Sequence, residues 1–417
     1  MRNEVKNDFK SEISEILETL GKQLDVSKTQ YESAVKSYNA VGNYLSREGS
    51  AISHYEPRII PQGSFMLGTI IKSIHEEDDI DIDLILQLSG KRADWTQEHL
   101  KNLVGDDLKD NETYRSMIKN RLGGRRCWTL EYSDSANYHM DILPAIVEGG
   151  YVKMINEGVK DIQRIDVDQL AIRITDKNLA NYRTEPNTRL WLKSNPLGYA
   201  QWFFGRAVYS EKGMFSLNEA VDPVRYYSTN KSPLQRAVQL LKRHRDIMFS
   251  SPEFNSEDKP ISIIITTLAG LSYNRSSDLI ETMTNIVSNM RNHIETPFNE
   301  NKGRYEKWVK NPVNPAENFA DKWLDNPRKE KYFYLWLIRL EKDILEIKDS
   351  KGKGLPTLSE SLSRQFGKDT TRKTFSAYGA NYAEKRKSGD LKMAIRTGLL
   401  GETGIPVKPH NFEGNVE

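Results

Sequence analysis

Three aspartates have the types and spacing that metal-assisted chemistry requires. Asp81 and Asp83 lie two residues apart in DIDIDLILQL (79–88), and Asp141 lies in NYHMDILPAIV (137–147). On a strand, residues two apart share one face, and pairing of the two segments would place Asp141 beside Asp81 and Asp83. Such carboxylates repel unless a cation lies between them, and their oxygen ligands suit Mg²⁺ with substrate phosphates. Two such ions can activate a hydroxyl and stabilise the leaving oxygen in a nucleotidyl transfer.

Other interpretations of the aspartates are weaker. An EF-hand loop counted from Asp79 would need glycine at its sixth position and glutamate at its twelfth, where this chain has Leu84 and Gly90. The paired aspartates could lie on a solvated strand edge, and Asp141 could form an ordinary ion pair. Each alternative would explain one motif alone but not the order of the motifs along the chain. We therefore predict a catalytic metal site.

A glycine-serine turn precedes the aspartates. Gln62, Gly63 and Ser64 follow the extended segment RIIPQ (58–62) and precede FMLGTIIK (65–72), which resembles a helix. Glycine lets the backbone approach a ligand closely, and amides at a helix start, with a serine hydroxyl, favour an anion. A simple helix cap is the structural alternative. Metal and triphosphate together would explain why the aspartates are tolerated.

Composition bounds the class of protein. The 417 residues suggest two or three domains, and 37% apolar with 28% charged residues is typical of a globular protein. Lysine and arginine number 60 against 58 acidic residues, so bulk charge does not indicate nucleic-acid binding. Cys127, the single cysteine, excludes a disulfide framework and a cysteine-rich zinc site. With no apolar run of membrane length and no signal peptide, we predict a cytoplasmic location.

Hydrophobic periodicity predicts two lobes. Residues 4–46 have the pattern of one or two amphipathic helices. Extended segments follow at 58–62, 79–88, 125–133 and 137–147, with helical pieces at 65–72 and 95–120. Beyond residues 193–210 the pattern becomes helical, with stripes at 232–249, 260–273, 278–294 and 331–348 and a helix start at Pro196.

The predicted fold class is α+β, with a cleft between a mixed sheet and a helical lobe. We assign residues 1–205 to an N-terminal helix plus the catalytic core and residues 206–400 to the helical lobe. Residues 401–417, which are rich in glycine and proline, are predicted to form a mobile tail.

The motifs QGSF, DIDIDL and HMDILPAI are similar to those of the nucleotidyltransferase superfamily of DNA polymerase β. Within it, the chain resembles the bacterial cGAS/DncV-like nucleotidyltransferases, or CD-NTases. SNPLGYAQWF (194–203) and PLQRAVQLLKRHRDIMF (233–249) resemble the segments that join the family's core to its helical lobe. The resemblance covers about residues 30–300, and the aspartate triplet is its most specific part.

The resemblance implies an activity and a set of site residues. That family makes cyclic di- or trinucleotide second messengers from NTPs and releases pyrophosphate, mostly in bacterial antiphage (CBASS-type) operons. It implies that Asp81, Asp83 and Asp141 are catalytic and hold two Mg²⁺ ions, with Mn²⁺ as a substitute. The implied nucleotide-binding residues are Gln62, Gly63, Ser64, Lys242, Ser262 and, by stacking on a base, Tyr273.

For three of these residues a structural role is the alternative. Lys242 would be a solvated helix lysine, Ser262 a small residue in helix packing, and Tyr273 a core aromatic. The expected partners are NTP substrates, ATP or GTP first, together with operon-encoded regulatory or effector proteins. Neither a membrane nor long nucleic acid is expected, and the single cysteine excludes the zinc ribbon of animal cGAS.

Several functions remain open from the sequence. A linear oligonucleotide polymerase, or an RNA or protein nucleotidyltransferase similar to oligoadenylate synthase, would use the same aspartates. A member that binds nucleotides without turnover would have no need for three mutually repelling carboxylates. A helical adaptor would leave residues 61–145 unexplained. The bases, ring size and linkage of a product are not specified by these motifs.

Overall fold

The structure is a computed structural model of the 417-residue chain. It describes residues 4–74, 80–132, 138–147, 170–207, 227–300, 302–350, 353–388, 392–393, 400–401 and 405–406. Of the predicted tail, 401–417, the described residues are 401 and 405–406, so the prediction for the rest lies outside the described residues.

A six-stranded mixed sheet forms the first lobe. Its strands are β1 (Arg58–Pro61), β2 (Ile80–Leu88), β3 (Trp128–Tyr132), β4 (Tyr138–Val147), β5 (Ile172–Ile174) and β6 (Leu192–Ser194). The order is β1-β2-β4-β5-β6, with β3 also paired to β4. β2 and β4 are parallel, and the other pairs are antiparallel. The extended segments predicted from the sequence are confirmed.

Five helices belong to the first half of the chain: α1 (Glu4–Leu24), α2 (Lys28–Leu45), α3 (Gly63–Met66), α4 (Gln97–Asp110) and α5 (Glu112–Met117). α2 begins with a capping box, in which Ser27 Oγ accepts from the Gln30 amide and Gln30 Oε1 accepts from the Ser27 amide, each at 3.1 Å. The amphipathic helices predicted over residues 4–46 are confirmed.

The second lobe is mainly helical. Its helices are α6 (Pro196–Ala207), α7 (Pro233–Phe249), α8 (Ser262–Ser272), α9 (Leu279–Asn289), α10 (Pro327–Asp349), α11 (Leu355–Phe366) and α12 (Lys368–Ser388). Short strands interrupt it at β7 (Phe298–Asn299), β8 (Arg304–Tyr305), β9 (Lys310–Asn311) and β10 (Asn314–Asn318), and three more pair near the end of the chain, β11 (Lys392–Met393), β12 (Leu400–Gly401) and β13 (Ile405–Pro406). The apolar stripes did not predict these strands, because they are short and mostly polar. In the part of the chain that the structure describes, no helix is both long and apolar enough to cross a membrane.

The two faces of the sheet pack against different layers. Ile82 and Leu84 belong to a core that also contains residues of α2 and α4. Ile85 and Leu143 belong to a second core, which contains the helical lobe and the buried stripe of α1. Since side chains alternate along a strand, the aspartates of β2 and β4 share the face of Ile85 and Leu143. They therefore lie on the side of the sheet that faces the helical lobe.

The placement of α1 was not evident from the sequence. Its residues Ile16, Leu17, Leu20 and Leu24 are fully buried, and they share a core with α7 and α9. Periodicity shows which face of a helix is apolar but not which element covers that face. By packing, α1 thus accompanies the helical lobe, although the sequence assigns it to the first domain. The domain boundaries themselves stay a prediction.

The helix predicted over residues 65–72 is wrong beyond its first turn. α3 ends at Met66, and Gly68 has a left-handed φ of +66°. The Thr69 amide turns back to donate to the Ser64 carbonyl at 3.0 Å. The following carbonyls are bonded to side chains of α7, so this connection gains its hydrogen bonds without forming a helix.

A buried ion-pair network joins α1 to α7. Asp25, 4% exposed, accepts from Lys231 Nζ at 2.5 Å, from Arg236 Nη1 at 2.9 and 3.0 Å, and from Gln239 Nε2 at 2.9 Å. Arg236 also donates to Glu18 at 2.9 Å and to the Thr229 carbonyl at 2.5 Å. Asp25 and Glu18 together therefore balance the two cations Lys231 and Arg236.

We expect Asp25→Ala to destabilise the fold by about 3–5 kcal/mol, because it leaves buried cations without a counter-charge. Urea unfolding would measure the loss. Asp106→Ala is the matched control, since Asp106 pairs with Lys109 on the surface with its side chain 67% exposed, and such pairs contribute about 0–1 kcal/mol. Similar losses in the two variants would contradict the role of Asp25.

Candidate active site

The parallel pairing of β2 with β4 sets the positions of the predicted aspartates. Asp83 is directly opposite Asp141, and Asp81 is opposite His139. On the other edge of β4, Thr129 is opposite Asp141, and its hydroxyl donates a hydrogen bond to Asp141 Oδ1. The structure therefore brings together the three carboxylates that the sequence singled out.

The carboxylates disfavour one another's charge. Burial, followed by the charges of Asp141 and Asp81, raises the pKa of Asp83 to about 6. Burial and the charge of Asp141 also raise the pKa of Asp81. Nearby, burial together with Asp141 and Asp83 raises the pKa of the Cys127 thiol to about 12. The site thus concentrates negative charge in a partly desolvated region.

Its donor set fits a hard divalent cation. The available ligands are carboxylate oxygens, and part of the rise in the pKa values of Asp81 and Asp83 comes from neighbouring carboxylates, whose repulsion a bound cation would offset. Among the described residues, no three His, Cys, Asp or Glu side chains are already gathered closely enough to hold a metal ion. Asp79, which precedes β2, lies outside the described residues. The metal site therefore stays a prediction, and a cation would have to draw the carboxylates together.

The glycine-serine turn packs directly against Asp83. The Gln62 amide donates to the Asp83 carbonyl at 2.8 Å, which ties the end of β1 to β2. Gly63 has a φ of +59°, and a Cβ there would lie 2.6 Å from Asp83 Oδ2. Both the backbone angle and the close approach require glycine. Gly63 is exposed, and Gln62 and Ser64 are half-buried, so the turn has an open side next to the carboxylates.

Lys242 contacts the segment that follows the turn, and Ser262 contacts Arg245 within the helical lobe. Lys242 is buried, and its Nζ donates to the Thr69 carbonyl at 3.1 Å and lies 3.3 Å from Thr69 Oγ1. Burial, followed by the charge of Arg245, lowers the pKa of Lys242 to about 7. The charge of Lys242 in turn offsets part of the rise in the pKa of Asp83. Ser262 Oγ accepts from Arg245 Nη1 at 3.0 Å. Lys242 thus lies behind the turn, held by Thr69, and is not a solvated helix lysine.

Tyr273 is not brought to the carboxylates. Its side chain is 2% exposed and belongs to the core of the helical lobe, and its hydroxyl donates to the Ser276 carbonyl at 2.9 Å. A ring enclosed in this way has no free face for a base. The prediction that Tyr273 stacks on a base therefore does not fit its position, and the core interpretation does.

Several neighbours of the aspartates were not predicted from the sequence. Lys259, whose side chain is 39% exposed, bonds Asp246 at 3.2 Å, and its charge lowers the pKa of Asp81. His139 and Lys119 act on Asp81 in the same direction. Only the folding of the helical lobe over the sheet brings Lys259 into range. The position of Thr129 follows from strand register, which the motifs do not specify.

The segment that carries the turn and the three aspartates matches a known family of protein domains. Residues 57–144 match the family model described as cyclic GMP-AMP synthase DncV-like, nucleotidyltransferase domain. The chain is 29% identical over 425 residues to a c-di-GMP synthase of Roseivirga ehrenbergii, covering 99% of this chain and 100% of that protein. The predicted resemblance is confirmed over residues 57–144, which match that domain model.

More distant relatives agree. The cyclic dinucleotide synthase CdnG of Bradyrhizobium diazoefficiens is 24% identical over 278 residues, 63% of this chain and 59% of that protein. The solved structure of the same organism's CD-NTase CdnG in complex with GTP has a TM-score of 0.63 at 20% identity, covering 88% of this chain and 99% of that chain. The solved structure of Escherichia coli MS115-1 CdnC with ATP has a TM-score of 0.52 at 16% identity, covering 85% of this chain and 96% of that chain. At such identities the solved structures show the fold, and the predicted fold class is confirmed.

The pKa of Asp83 predicts how the stability of the metal-free protein depends on pH. An aspartate with a folded pKa of about 6 and an ordinary value of 3.8 binds more protons when folded, so its carboxylate weakens the fold as pH rises through this range. We expect Asp83→Asn to be more stable relative to wild type at pH 8 than at pH 5 by about 1.4 kcal/mol, because pH 5 lies above the ordinary value and part of the loss is already present there. Urea unfolding in EDTA would measure this difference. An equal effect at both pH values would contradict it.

Proposed function

We propose that this protein is a cyclic dinucleotide synthase that joins two GTP molecules into c-di-GMP and releases two pyrophosphates. The observation that carries the proposal is the register of β2 and β4, which places Asp83 opposite Asp141 with the Gly63 turn against Asp83. The similarity to a c-di-GMP synthase over essentially the whole of both chains supports the cyclic product and the guanine base.

The chemistry is two successive nucleotidyl transfers. In each, a ribose hydroxyl oxygen forms a bond to an α-phosphate, the bond to pyrophosphate breaks, and the hydroxyl proton is lost to solvent. Asp81, Asp83 and Asp141 would hold divalent cations, Mg²⁺ by their oxygen donors, which would activate the hydroxyl and offset charge on the leaving pyrophosphate. Thr129 fixes one oxygen of Asp141 and so orients the remaining one.

The turn and the helical lobe would hold the donor triphosphate. The Gly63 backbone lies beside Asp83 and is exposed, and the half-buried Ser64 follows it in the turn. Lys242 and Lys259 supply positive charge that already acts on Asp83 and Asp81, respectively. In this proposal Ser262, bonded to Arg245, stays a candidate phosphate ligand. Control or use of the product by operon-encoded antiphage proteins remains a prediction from the resemblance.

The first experiment is product analysis. We expect purified protein with Mg²⁺ and radiolabelled GTP to give a product that resists phosphatase, and each of Asp81→Ala and Asp83→Ala to lower its yield by at least about 10²-fold, since the interactions lost stabilise the transition state. Adding ATP, CTP and UTP in turn, and comparing the product with c-di-GMP by mass, would identify the bases.

A product that phosphatase degrades fully would instead favour a linear polymerase, which keeps a 5′-triphosphate. A cyclic product that forms only with ATP present would keep the synthase and overturn the guanine assignment. Asp106→Ala is the control, since this exposed carboxylate on α4 lies outside the site.

The divalent cation can be tested without turnover. We expect Mg²⁺ or Mn²⁺ to raise the melting temperature of wild type at pH 8, because a cation that binds only the folded state stabilises it by mass action. The rise should be largely lost in Asp83→Asn and kept in Asp106→Asn. Equal rises in all three proteins would place the bound ion elsewhere.

A further inference from the structure

Side chains of α7 bind the backbone of the described residues between the glycine-serine turn and β2. Gln235 Nε2 donates to the Leu67 carbonyl at 2.8 Å, and Gln239 Nε2 donates to the Ile70 carbonyl at 2.7 Å. Arg243 Nη2 donates to the Lys72 carbonyl at 2.8 Å. With the bond from Lys242 to Thr69, four α7 side chains bind one short stretch of backbone, residues 67–73, which we call the connecting segment.

These donors lie on one face of α7. Positions 235, 239, 242 and 243 are spaced by three and four residues, so they project in the same direction. All four side chains are buried, with exposures of 8, 0, 4 and 4%. Burial of this much polar surface would be costly unless each group were bonded, and backbone carbonyls supply the partners.

The other side of the connecting segment is bonded to the turn. The Leu67 amide donates to the Gly63 carbonyl at 3.1 Å, and the Thr69 amide donates to the Ser64 carbonyl at 3.0 Å. The segment therefore stands between the helical lobe and the residues that touch Asp83. A change in how α7 holds its carbonyls would pass directly to the turn.

Hydrogen bonds fix the orientation of the Gln239 side chain. Besides the Ile70 carbonyl, its amide nitrogen bonds Asp25 at 2.9 Å, and its oxygen accepts from Arg236 Nη1 at 2.8 Å. These bonds use both N–H groups and the carbonyl oxygen, so the orientation of the amide is fixed. Asp25 and Arg236 belong to the buried ion-pair network, so this network holds the Gln239 side chain in place.

We propose that Gln239, with Gln235 and Arg243, is a positioning residue for nucleotidyl transfer: it acts through the connecting segment to fix the Gly63–Ser64 turn against Asp83. The proposal rests on the proposed function, in which that turn holds the donor triphosphate. It assigns to α7 a role for side chains that do not touch substrate. A displacement of about 1 Å in a supporting element can cost about 10²-fold in rate.

The test compares two buried glutamines. Gln239→Met keeps the size of the side chain and removes its hydrogen bonds. Gln97→Met is the control, since Gln97 on α4 is also fully buried and accepts one backbone bond, from the Asp176 amide at 2.9 Å, and α4 packs in the core that does not contain the helical lobe. We expect Gln239→Met to lower kcat/KM for GTP by at least about tenfold and Gln97→Met by less than twofold, at comparable losses of unfolding stability.

A second variant covers the case in which Gln239→Met does not fold. Gln235→Glu keeps the oxygen that accepts from the Ser232 amide at the start of α7, but it puts an oxygen against the Leu67 carbonyl in place of a donor. We expect it to lower kcat/KM in the same direction. Wild-type kinetics from either Gln235→Glu or Gln239→Met would overturn the proposal.

Hydrogen exchange separates this inference from the proposed function. In Gln239→Met the amides of Leu67 and Thr69 should exchange at least about tenfold faster than in wild type, while Gln97→Met leaves them unchanged. Unchanged exchange in Gln239→Met would overturn the inference even if wild type makes c-di-GMP. If wild type makes no product, the proposed function fails, and GTP affinity by titration decides: an affinity in Gln239→Met equal to wild type overturns the positioning role.

Discussion

The parallel pairing of β2 with β4 is the constraint on which the site depends. A parallel pair holds its two strands at fixed register, and here that register sets Asp83 opposite Asp141. A shift of one residue would turn the aspartates into the apolar core behind the sheet and bring isoleucines to the helical lobe. The raised pKa of Asp83 shows that charging this carboxylate is unfavourable in the fold. The fold tolerates the carboxylate because apolar residues on the opposite face of the sheet hold the strands in place.

The helical lobe completes what the sheet begins. The aspartate face of the sheet shares its core with α1 and the helical lobe, and the inward side of α7 carries amide and cationic groups. Those groups bind backbone carbonyls of residues 67–73 and leave Lys242 and Lys259 within electrostatic range of the aspartates. A buried polar helix face of this kind is stable only because nearly every donor on it has a partner. Stability of the lobe junction and geometry of the site therefore share the same residues.

Motif order was a sound guide where chemistry and spacing coincide. The aspartates, the turn at Gly63 and the strands that carry them were all predictable, because alternation along a strand and the demands of glycine are local properties. The helix predicted through residue 72 failed because long-range bonds from α7 compete with local helix formation. The stacking role predicted for Tyr273 does not fit its position, because an aromatic residue in an apolar helical stretch belongs to the core unless tertiary structure opens a cleft beside it.

The sequence by itself determined the carboxylate triplet, the glycine turn, the helical character of the second half and the resemblance to CD-NTases, since each is written in neighbouring residues. Tertiary structure alone decided that α1 packs with the helical lobe, that Thr129 bonds Asp141, and that Lys259 acts on Asp81. It also decided that Gln239, an unremarkable helix residue in the sequence, binds the segment next to the turn. The bond from Thr129 depends on the pairing of β3 with β4, and the other relations join residues far apart in the chain that only tertiary packing brings near one another.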